Sequence, residues 1–234
     1  MIKLNGYLVS EKINENRHSV IYRAKREGDN TKVVIKVLNS EYPTLKEIEK
    51  IKREFEVIKQ LSLPGVIAVY GIEQYRNTPA LIFEDYGGVS LKNYTETVDM
   101  GVEVFLNIAL QLTKALGEVH KKNVIHKDVN PSNILINEDT HEVKLADFGI
   151  STLLEKENQA AIHITELEGT LAYMSPEQTG RMNRAIDYRS DFYSLGITFY
   201  EMLCGTLPFV SEDPMELVHG HIARQPLSPR EIIL

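Results

Sequence analysis

The 234 residues include one cysteine, Cys204, and no tryptophan. A lone thiol cannot build an internal disulfide framework, and such sparing use fits a reducing compartment. No stretch approaches the roughly 18 apolar residues that a membrane-crossing helix needs. The opening residues, Met1 to Tyr7, lack the continuous apolar region of a signal peptide. A cytoplasmic chain without a membrane span is therefore expected. Dense basic runs are missing too, and with a net charge of −7 a general nucleic-acid binder is disfavoured. Internal repeats, low-complexity tracts and linkers rich in Pro, Gly and Ser are also absent. What is present, 43% hydrophobic and 25% charged residues, suits a globular protein with one substantial core or two lobes sharing a cleft.

The first third reads as short strands. Tyr7 to Ile13 and Val20 to Arg26 flank a polar turn, and Lys32 to Leu38 is a β-branched run. A capping-box pattern, Thr44 followed by Glu47, predicts a helix start just after Pro43. Ile48, Ile51, Phe55 and Ile58 continue it at helical spacing. Val66 to Ile72 and Ala80 to Phe83 look like two further strands, and Gly87-Gly88 then breaks the pattern as a hinge would. Beyond it, Phe105, Ile108, Ala109, Leu112, Ala115, Leu116 and Val119 mark one face of a long amphipathic helix. Asn133 to Ile136 and Val143 to Ala146 read as short strands. Phe192 to Leu203, apolar almost all round, predicts a helix buried in the second half. The outline is α+β: a small sheet carrying one helix, then a larger helical part.

Five short motifs follow one another along the chain. They are Val33-Val34-Ile35-Lys36, His126-Lys127-Asp128-Val129-Asn130-Pro131-Ser132-Asn133, Asp147-Phe148-Gly149, Ser175-Pro176-Glu177, and Ser190-Asp191-Phe192-Tyr193-Ser194-Leu195-Gly196. Each alone is weak; their order is not. Together they resemble the β3 lysine, catalytic loop, metal-binding DFG motif, activation-segment end and buried helix start of eukaryotic-like protein kinases. The resemblance implies a bilobal kinase fold, with a small antiparallel sheet and one helix in an N-lobe over 1–86. It implies a mainly helical C-lobe over 87–234, left incomplete because the final helices are missing.

The resemblance also implies an activity: transfer of the γ-phosphate of ATP, with Mg²⁺, to a serine or threonine hydroxyl of a protein substrate. In that scheme Lys36 contacts the α- and β-phosphates and Glu54 holds it. Glu54 lies between Ile51 and Ile58 at i+3 and i−4, on the inward helix face. Asn133 and Asp147 supply hard oxygens to Mg²⁺, and Asp128 accepts the substrate hydroxyl proton. Val20 and Val34 would lie above the adenine and Leu135 below it. Phe83 falls at the gatekeeper position, restricting the pocket behind the adenine, and Glu84 to Tyr86 would offer hinge backbone groups to ATP. His126 and Phe148 pack in the internal spine, and Asp191 is a buried acceptor for backbone amides of the catalytic loop. Gly169-Thr170 resembles serine/threonine rather than tyrosine kinases, and Thr152, Thr165 and Thr170 are conceivable phosphosites. Plainer readings exist for each residue alone: an exposed strand lysine, a solvated helix glutamate, a turn asparagine, an Asx-turn aspartate, ordinary core valines and leucine.

The sequence also departs from that pattern. Ile13 to Val20 occupy the place of a glycine-rich loop without one glycine. Glycine permits close backbone approach to phosphates, whereas Glu15 would repel them. Asparagine reaches unusual dihedrals, so a modified loop with Arg17 or His18 near the phosphates is conceivable. Asn130 replaces a lysine that helps neutralise the γ-phosphate, and Lys127 replaces an arginine, weakening a case for activation by loop phosphorylation. Glu177 lacks the arginine that pairs with it in the family. The overall pattern, including Asp213 to His219, resembles the N-terminal kinase domains of large bacterial multidomain sensor kinases. There an ATPase module, a GAF sensor and a histidine kinase follow, so further signalling domains C-terminal in the same chain are expected. Two alternatives stand beside the active kinase. A pseudokinase serving as a nucleotide-binding regulatory or scaffolding module is favoured by the altered loop and Asn130 and opposed by the intact metal ligands. A small-molecule phosphotransferase of related fold is opposed by Ser175-Pro176-Glu177 and the long segment before it.

Overall fold

A computed structural model describes residues 2–153 and 170–232; Thr165 and Gly169 lie outside them. The chain separates into two compact units, Met1–Gly88 and Val89–Leu234. The boundary expected after Tyr86 falls instead after Gly88.

The first unit is a five-stranded antiparallel sheet carrying one helix. Its strands are β1 (Tyr7–Glu15), β2 (Ser19–Arg26), β3 (Lys32–Leu38), β4 (Val69–Tyr75) and β5 (Thr78–Glu84), in the order β1-β2-β3-β5-β4. Successive strand residues face opposite sides of a sheet, and β3 obeys this closely. Val33, Ile35 and Val37 are buried in a cluster with Val20, Ala24, Ala80 and Ile82, while Val34 and Lys36 face the other way. Helix α1 (Leu45–Leu61) starts at the predicted capping box. Glu47 N–H donates to the Thr44 hydroxyl at 3.3 Å, and Thr44 N–H donates back to the Glu47 carboxylate at 2.8 Å. Its inward face is Ile51, Glu54, Val57, Ile58 and Leu61. The strand expected over Val66 to Ile72 runs instead from Val69 to Tyr75. Pro64-Gly65 forms a turn closed by Val66 N–H on the Leu63 carbonyl. Val66 and Ile67 are thus buried apolar residues without being strand residues. The strand then runs into a hairpin whose Tyr75↔Thr78 pairing brackets Arg76, at φ 51°.

The second unit is mainly helical: α2 (Leu91–Thr97), α3 (Val102–Lys121), α4 (Tyr188–Cys204), α5 (Pro214–Ala223) and the short α6 (Pro229–Ile232). The long helix α3 buries Ile108, Leu112, Ala115, Leu116 and Val119, the face its periodicity predicts. Strands β6 (Val89–Ser90), β8 (Ile134–Ile136) and β9 (Val143–Leu145) form a small sheet in the order β6-β8-β9. Strand β7 (Val124–Ile125) pairs with β10 (Thr152–Leu153). The two-residue strands and α2 escaped the sequence reading, being too short to show a period.

The expectation of an all-round buried apolar helix from Phe192 is corrected. Helix α4 begins at Tyr188, capped by the Asp187 carboxylate on Arg189 N–H. Phe192 is 49% exposed, whereas Ser190, Asp191, Ser194 and Thr198 are at most 1% exposed. Alongside buried Leu195, Ile197 and Met202 the inner face of α4 carries these polar side chains, which hold loops. Ser194 donates to the Tyr173 carbonyl at 2.8 Å and Thr198 to the Val129 carbonyl at 3.4 Å. Ser190 donates to Glu177 at 2.6 Å, so the glutamate that the sequence left without a cation is held by a hydroxyl.

Helix α5 contributes a buried histidine. His221 is 5% exposed and lies edge-on to Tyr193 and Phe209. Burial, helped by the Glu177 charge, pushes the Tyr193 phenol up to about 12. It therefore stays protonated, with its oxygen 2.9 Å from His221 Nδ1. Burial pushes the His221 imidazole below its ordinary value, the Leu171 backbone opposing it only in part. A base depressed in the fold takes up protons first when unfolded, so stability is present above the unfolded value near pH 6.5 and falls as pH drops through it. The melting temperature is expected to fall between pH 7.5 and 5.5, and His221→Gln to flatten that slope. An unchanged slope in the variant would remove His221 as its source.

Candidate active site

In the first unit, the face of the sheet carrying Lys36 is built by register. Ile21 lies opposite Lys36 and Arg23 opposite Val34 across β2 and β3; Leu81 lies opposite Lys36 and Phe83 opposite Val34 across β3 and β5. The Lys36 ammonium donates to both Glu54 oxygens, at 2.9 and 3.0 Å. The pair is well shielded, with Lys36 12% and Glu54 3% exposed at the side chain. Such burial makes the two charges interact more strongly than on an open surface. Thr44 caps α1 and Ile51, Val57 and Ile58 seat it, which is what brings Glu54 to the lysine.

Val20 does not share this face. It is 6% exposed within the sealed cluster of Val33, Ile35 and Val37, so its assignment above the adenine is corrected. A one-residue step along a strand reverses the side-chain direction, and Ile21 is the β2 residue on the side of Val34 and Lys36. Glu84 is tied to Ala68 twice: its N–H donates to the Ala68 carbonyl at 3.0 Å, and Ala68 N–H donates to its carboxylate at 2.8 Å. The Tyr86 ring lies against Gly88, where an added Cβ would fall 2.4 Å from the phenol oxygen. A larger residue there would require the ring to move.

The glycine-free turn between β1 and β2 is closed by a side chain. Asn16 Oδ1 accepts from the backbone N–H groups of His18 and Ser19, each at 2.8 Å, and the Asn39 amide donates to the Asn16 carbonyl at 2.8 Å. None of residues 13–20 has a positive φ. The asparagines here do not supply unusual dihedrals, as the sequence reading allowed; Asn16 supplies an acceptor.

In the second unit, the loop at residues 126–133 is anchored from α4. Asp191 is fully buried and accepts from His126 N–H at 2.9 Å and Lys127 N–H at 2.7 Å, with His120 Nε2 at 2.7 Å. Lys127 itself adopts the left-handed φ of 69°. The Lys127 carbonyl accepts from Gln178 at 2.8 Å, and Gln178 also closes a capping box with Ser175. His126 is fully buried against Phe148, ring centroids 4.5 Å apart. Its Nδ1 accepts from Asp128 N–H at 3.3 Å and its Nε2 meets the Ala146 carbonyl at 3.1 Å. Both ring nitrogens are thereby engaged in the structure, in keeping with the internal role expected of it.

Asp128 is held at both carboxylate oxygens. The Asn133 amide donates to Oδ2 at 2.9 Å; the Asn130 amide and Thr170 N–H donate to Oδ1 at 3.0 and 2.9 Å. With its nitrogen on Asp128, Asn133 presents its oxygen as a hard ligand. In the β8–β9 hairpin Ile134 pairs with Leu145, and Ala146 N–H donates to the Asn133 carbonyl at 2.8 Å. Asn133 and Asp147 therefore sit at the same end of that hairpin. Asp147 takes φ 58° and accepts from Gly149 N–H at 3.2 Å. Among the described residues no group of three or more His, Cys, Asp or Glu is built to cage a metal. One carboxylate and one amide oxygen fit Mg²⁺ that keeps waters and phosphate oxygens as its other ligands. Leu135 lies on the half-exposed side of β8, between buried Ile134 and Ile136.

Of the conceivable phosphosites, Thr152 is buried at 3% exposure within β10, which argues against modification there. Thr170 is exposed, but its hydroxyl accepts from Asn130 at 3.3 Å. Ile21 and Gln178 are not singled out by the sequence, and Asn130 and Thr170 stand out there in other roles than as donors to Asp128. Gln178 was legible as the fourth position of Ser175-Pro176-Glu177-Gln178, a capping-box spacing. Removing the Asp191 carboxylate would leave three buried donors without an acceptor. Asp191→Ala is expected to cost about 3–5 kcal/mol, read as a lower urea midpoint at unchanged slope, and Asp191→Asn less. A loss below about 1 kcal/mol would show that the loop is held by other contacts.

A profile of the protein kinase domain family matches residues 7–231. A probable serine/threonine-protein kinase of Clostridium perfringens is 34% identical over 230 residues, covering 97% of this chain and 33% of that protein. Serine/threonine-protein kinase PknB of Mycobacterium tuberculosis is 32% identical over 186 residues, 77% of this chain and 29% of that protein. PrkC of Bacillus subtilis, also a serine/threonine-protein kinase, is 30% identical over 192 residues, 81% and 29% respectively. The chain thus spans about a third of the length of these curated relatives.

Proposed function

The chain belongs to the protein kinase family, and from that premise we propose that it transfers the γ-phosphate of ATP, with Mg²⁺, to a serine or threonine hydroxyl of a protein substrate. The observation that carries this reading is the array around Asp128: a carboxylate held at both oxygens, by the Asn133 amide on one and by the Asn130 amide and Thr170 N–H on the other. Asp128 orients the substrate hydroxyl and accepts its proton. Lys36, braced by Glu54, takes the α- and β-phosphates. Val34 and Ile21 offer apolar contact to the adenine from the first unit, where the backbone of Glu84 to Tyr86 serves its edge, and Leu135 is the expected contact from the second. Asn133 and Asp147 would hold the Mg²⁺, which when bound neutralises charge developing on the phosphates. The serine/threonine names of the relatives support the hydroxyl class.

We further propose that this unit is the N-terminal module of a longer cytoplasmic signalling protein. The motif resemblance to multidomain sensor kinases supports it, as does the greater length of the relatives. No helix among the described residues is long and apolar enough to cross a membrane. The second reading, a nucleotide-binding pseudokinase, is favoured by one observation. The amides of His18 and Ser19 are engaged by Asn16, so they are not offered to phosphates as those of a glycine loop are.

Labelled γ-phosphate is expected to pass from ATP–Mg²⁺ to the protein itself or to a generic protein substrate. Asp147→Ala and Lys36→Met should each lower that transfer by about a hundredfold or more, the scale of a lost electrostatic stabiliser. ATP binding to the folded protein with no transfer, even in a C-terminally longer form, would establish the pseudokinase instead.

A further inference from the structure

We propose that Asn130 is a positioning residue for phosphotransfer: its neutral side-chain amide fixes the Asp128 carboxylate and ties it to Thr170. The consequence for rate rests on the kinase reading above; the positioning itself does not.

Asn130 is 2% exposed, and every polar atom of its side chain is engaged. The oxygen accepts from Ser132 N–H at 2.9 Å, capping the 3-10 turn Pro131–Asn133. That contact is local structure, and serine or aspartate would cap the turn as well. The nitrogen is different. It donates to Asp128 Oδ1 at 3.0 Å and to the Asp128 carbonyl at 3.1 Å, and reaches the Thr170 hydroxyl at 3.3 Å, forty residues along the chain. Among common capping side chains only asparagine brings an NH₂ group, so the cap alone does not account for the residue. A buried amide with all its groups satisfied is a built feature, not what remains after a lysine has decayed.

The arrangement is also closed on itself. Thr170 N–H donates to the same Asp128 oxygen that Asn130 holds, while the Thr170 hydroxyl accepts from Asn130. With the Asn133 amide on the other oxygen, the carboxylate cannot rotate without breaking a hydrogen bond. The amide carries no charge, so this chain keeps the geometry at Asp128 without a cation at position 130.

Three variants separate positioning from capping. Asn130→Asp keeps the capping oxygen but loses both N–H donors and sets a second carboxylate beside Asp128. Asn130→Ala loses cap and donors. Asn130→Lys restores donors that can reach Asp128 and Thr170. With folding checked by thermal melts, kcat for Asn130→Asp and Asn130→Ala is expected to fall about tenfold or more while KM for ATP stays within about twofold, and Asn130→Lys to recover much of the rate. If Asn130→Asp transfers phosphate within about twofold of the parent, the residue is a cap and the proposal is wrong. Should the parent itself transfer nothing, the kinase reading fails, and the Thr170 amide decides the positioning by NMR hydrogen exchange. Exchange several-fold faster in Asn130→Asp, and parent-like in Asn130→Lys, supports it; unchanged exchange overturns it.

Discussion

The carboxylate of Asp191 is the contact on which the rest of the second unit depends. A fully buried carboxylate is costly unless hydrogen bonds compensate it, and three donors do so here: His126 N–H, Lys127 N–H and the His120 ring. Just beyond those two amides Lys127 takes the left-handed φ of 69°, at a cost of about 1–2 kcal/mol for a side chain with a Cβ. On either side of it the His126 ring packs against Phe148 and the Asp128 carboxylate meets Asn130, Asn133 and Thr170. One buried charge thereby determines the path of an irregular loop that has no helix or sheet to shape it.

The same helix face holds a second irregular segment and a further point of the first. Ser190 takes Glu177, Ser194 takes the Tyr173 carbonyl and Thr198 takes the Val129 carbonyl. Gln178 then joins the segment end directly to the Lys127 carbonyl. Helix α4 thus works as a polar scaffold whose hydroxyls satisfy loop carbonyls that would otherwise be buried without donors. This is why an apolar stripe was the wrong template for it.

Where one repeating pattern or one local rule suffices, the sequence was legible. The α1 capping box, the inward position of Glu54 and the α3 face emerge from spacing, and the five short motifs from their resemblance to a family. Val20 shows the limit. A β-branched residue beside a strand lysine motif looks equally suited to either face of the sheet, and only the Ile21↔Lys36 pairing identifies which face it takes. Val66 and Ile67 show another: they are apolar because they are buried, and burial in a turn leaves the same composition as burial in a strand. Ties between distant residues, such as Asn130 to Thr170, leave no periodic trace at all.

Two departures from the family pattern looked like losses in the sequence and have the same physical form in the structure. At the β1–β2 turn, where glycine would give backbone freedom, Asn16 gives a side-chain acceptor that closes the turn at ordinary dihedrals. In the catalytic loop, where lysine would give a charge, Asn130 gives a donor and an acceptor that keep the same neighbours in place. Each exchange preserves geometry while giving up something else, backbone amides in one case and a cation in the other. Both of the things given up act on phosphate charge, and neither is needed to shape the loop. On the proposed reading, Lys36 in the first unit, and a metal that Asn133 and Asp147 would hold in the second, carry a larger share in offsetting nucleotide charge. Loss of either should weigh more in this chain than in a relative that has both a glycine loop and a catalytic-loop lysine.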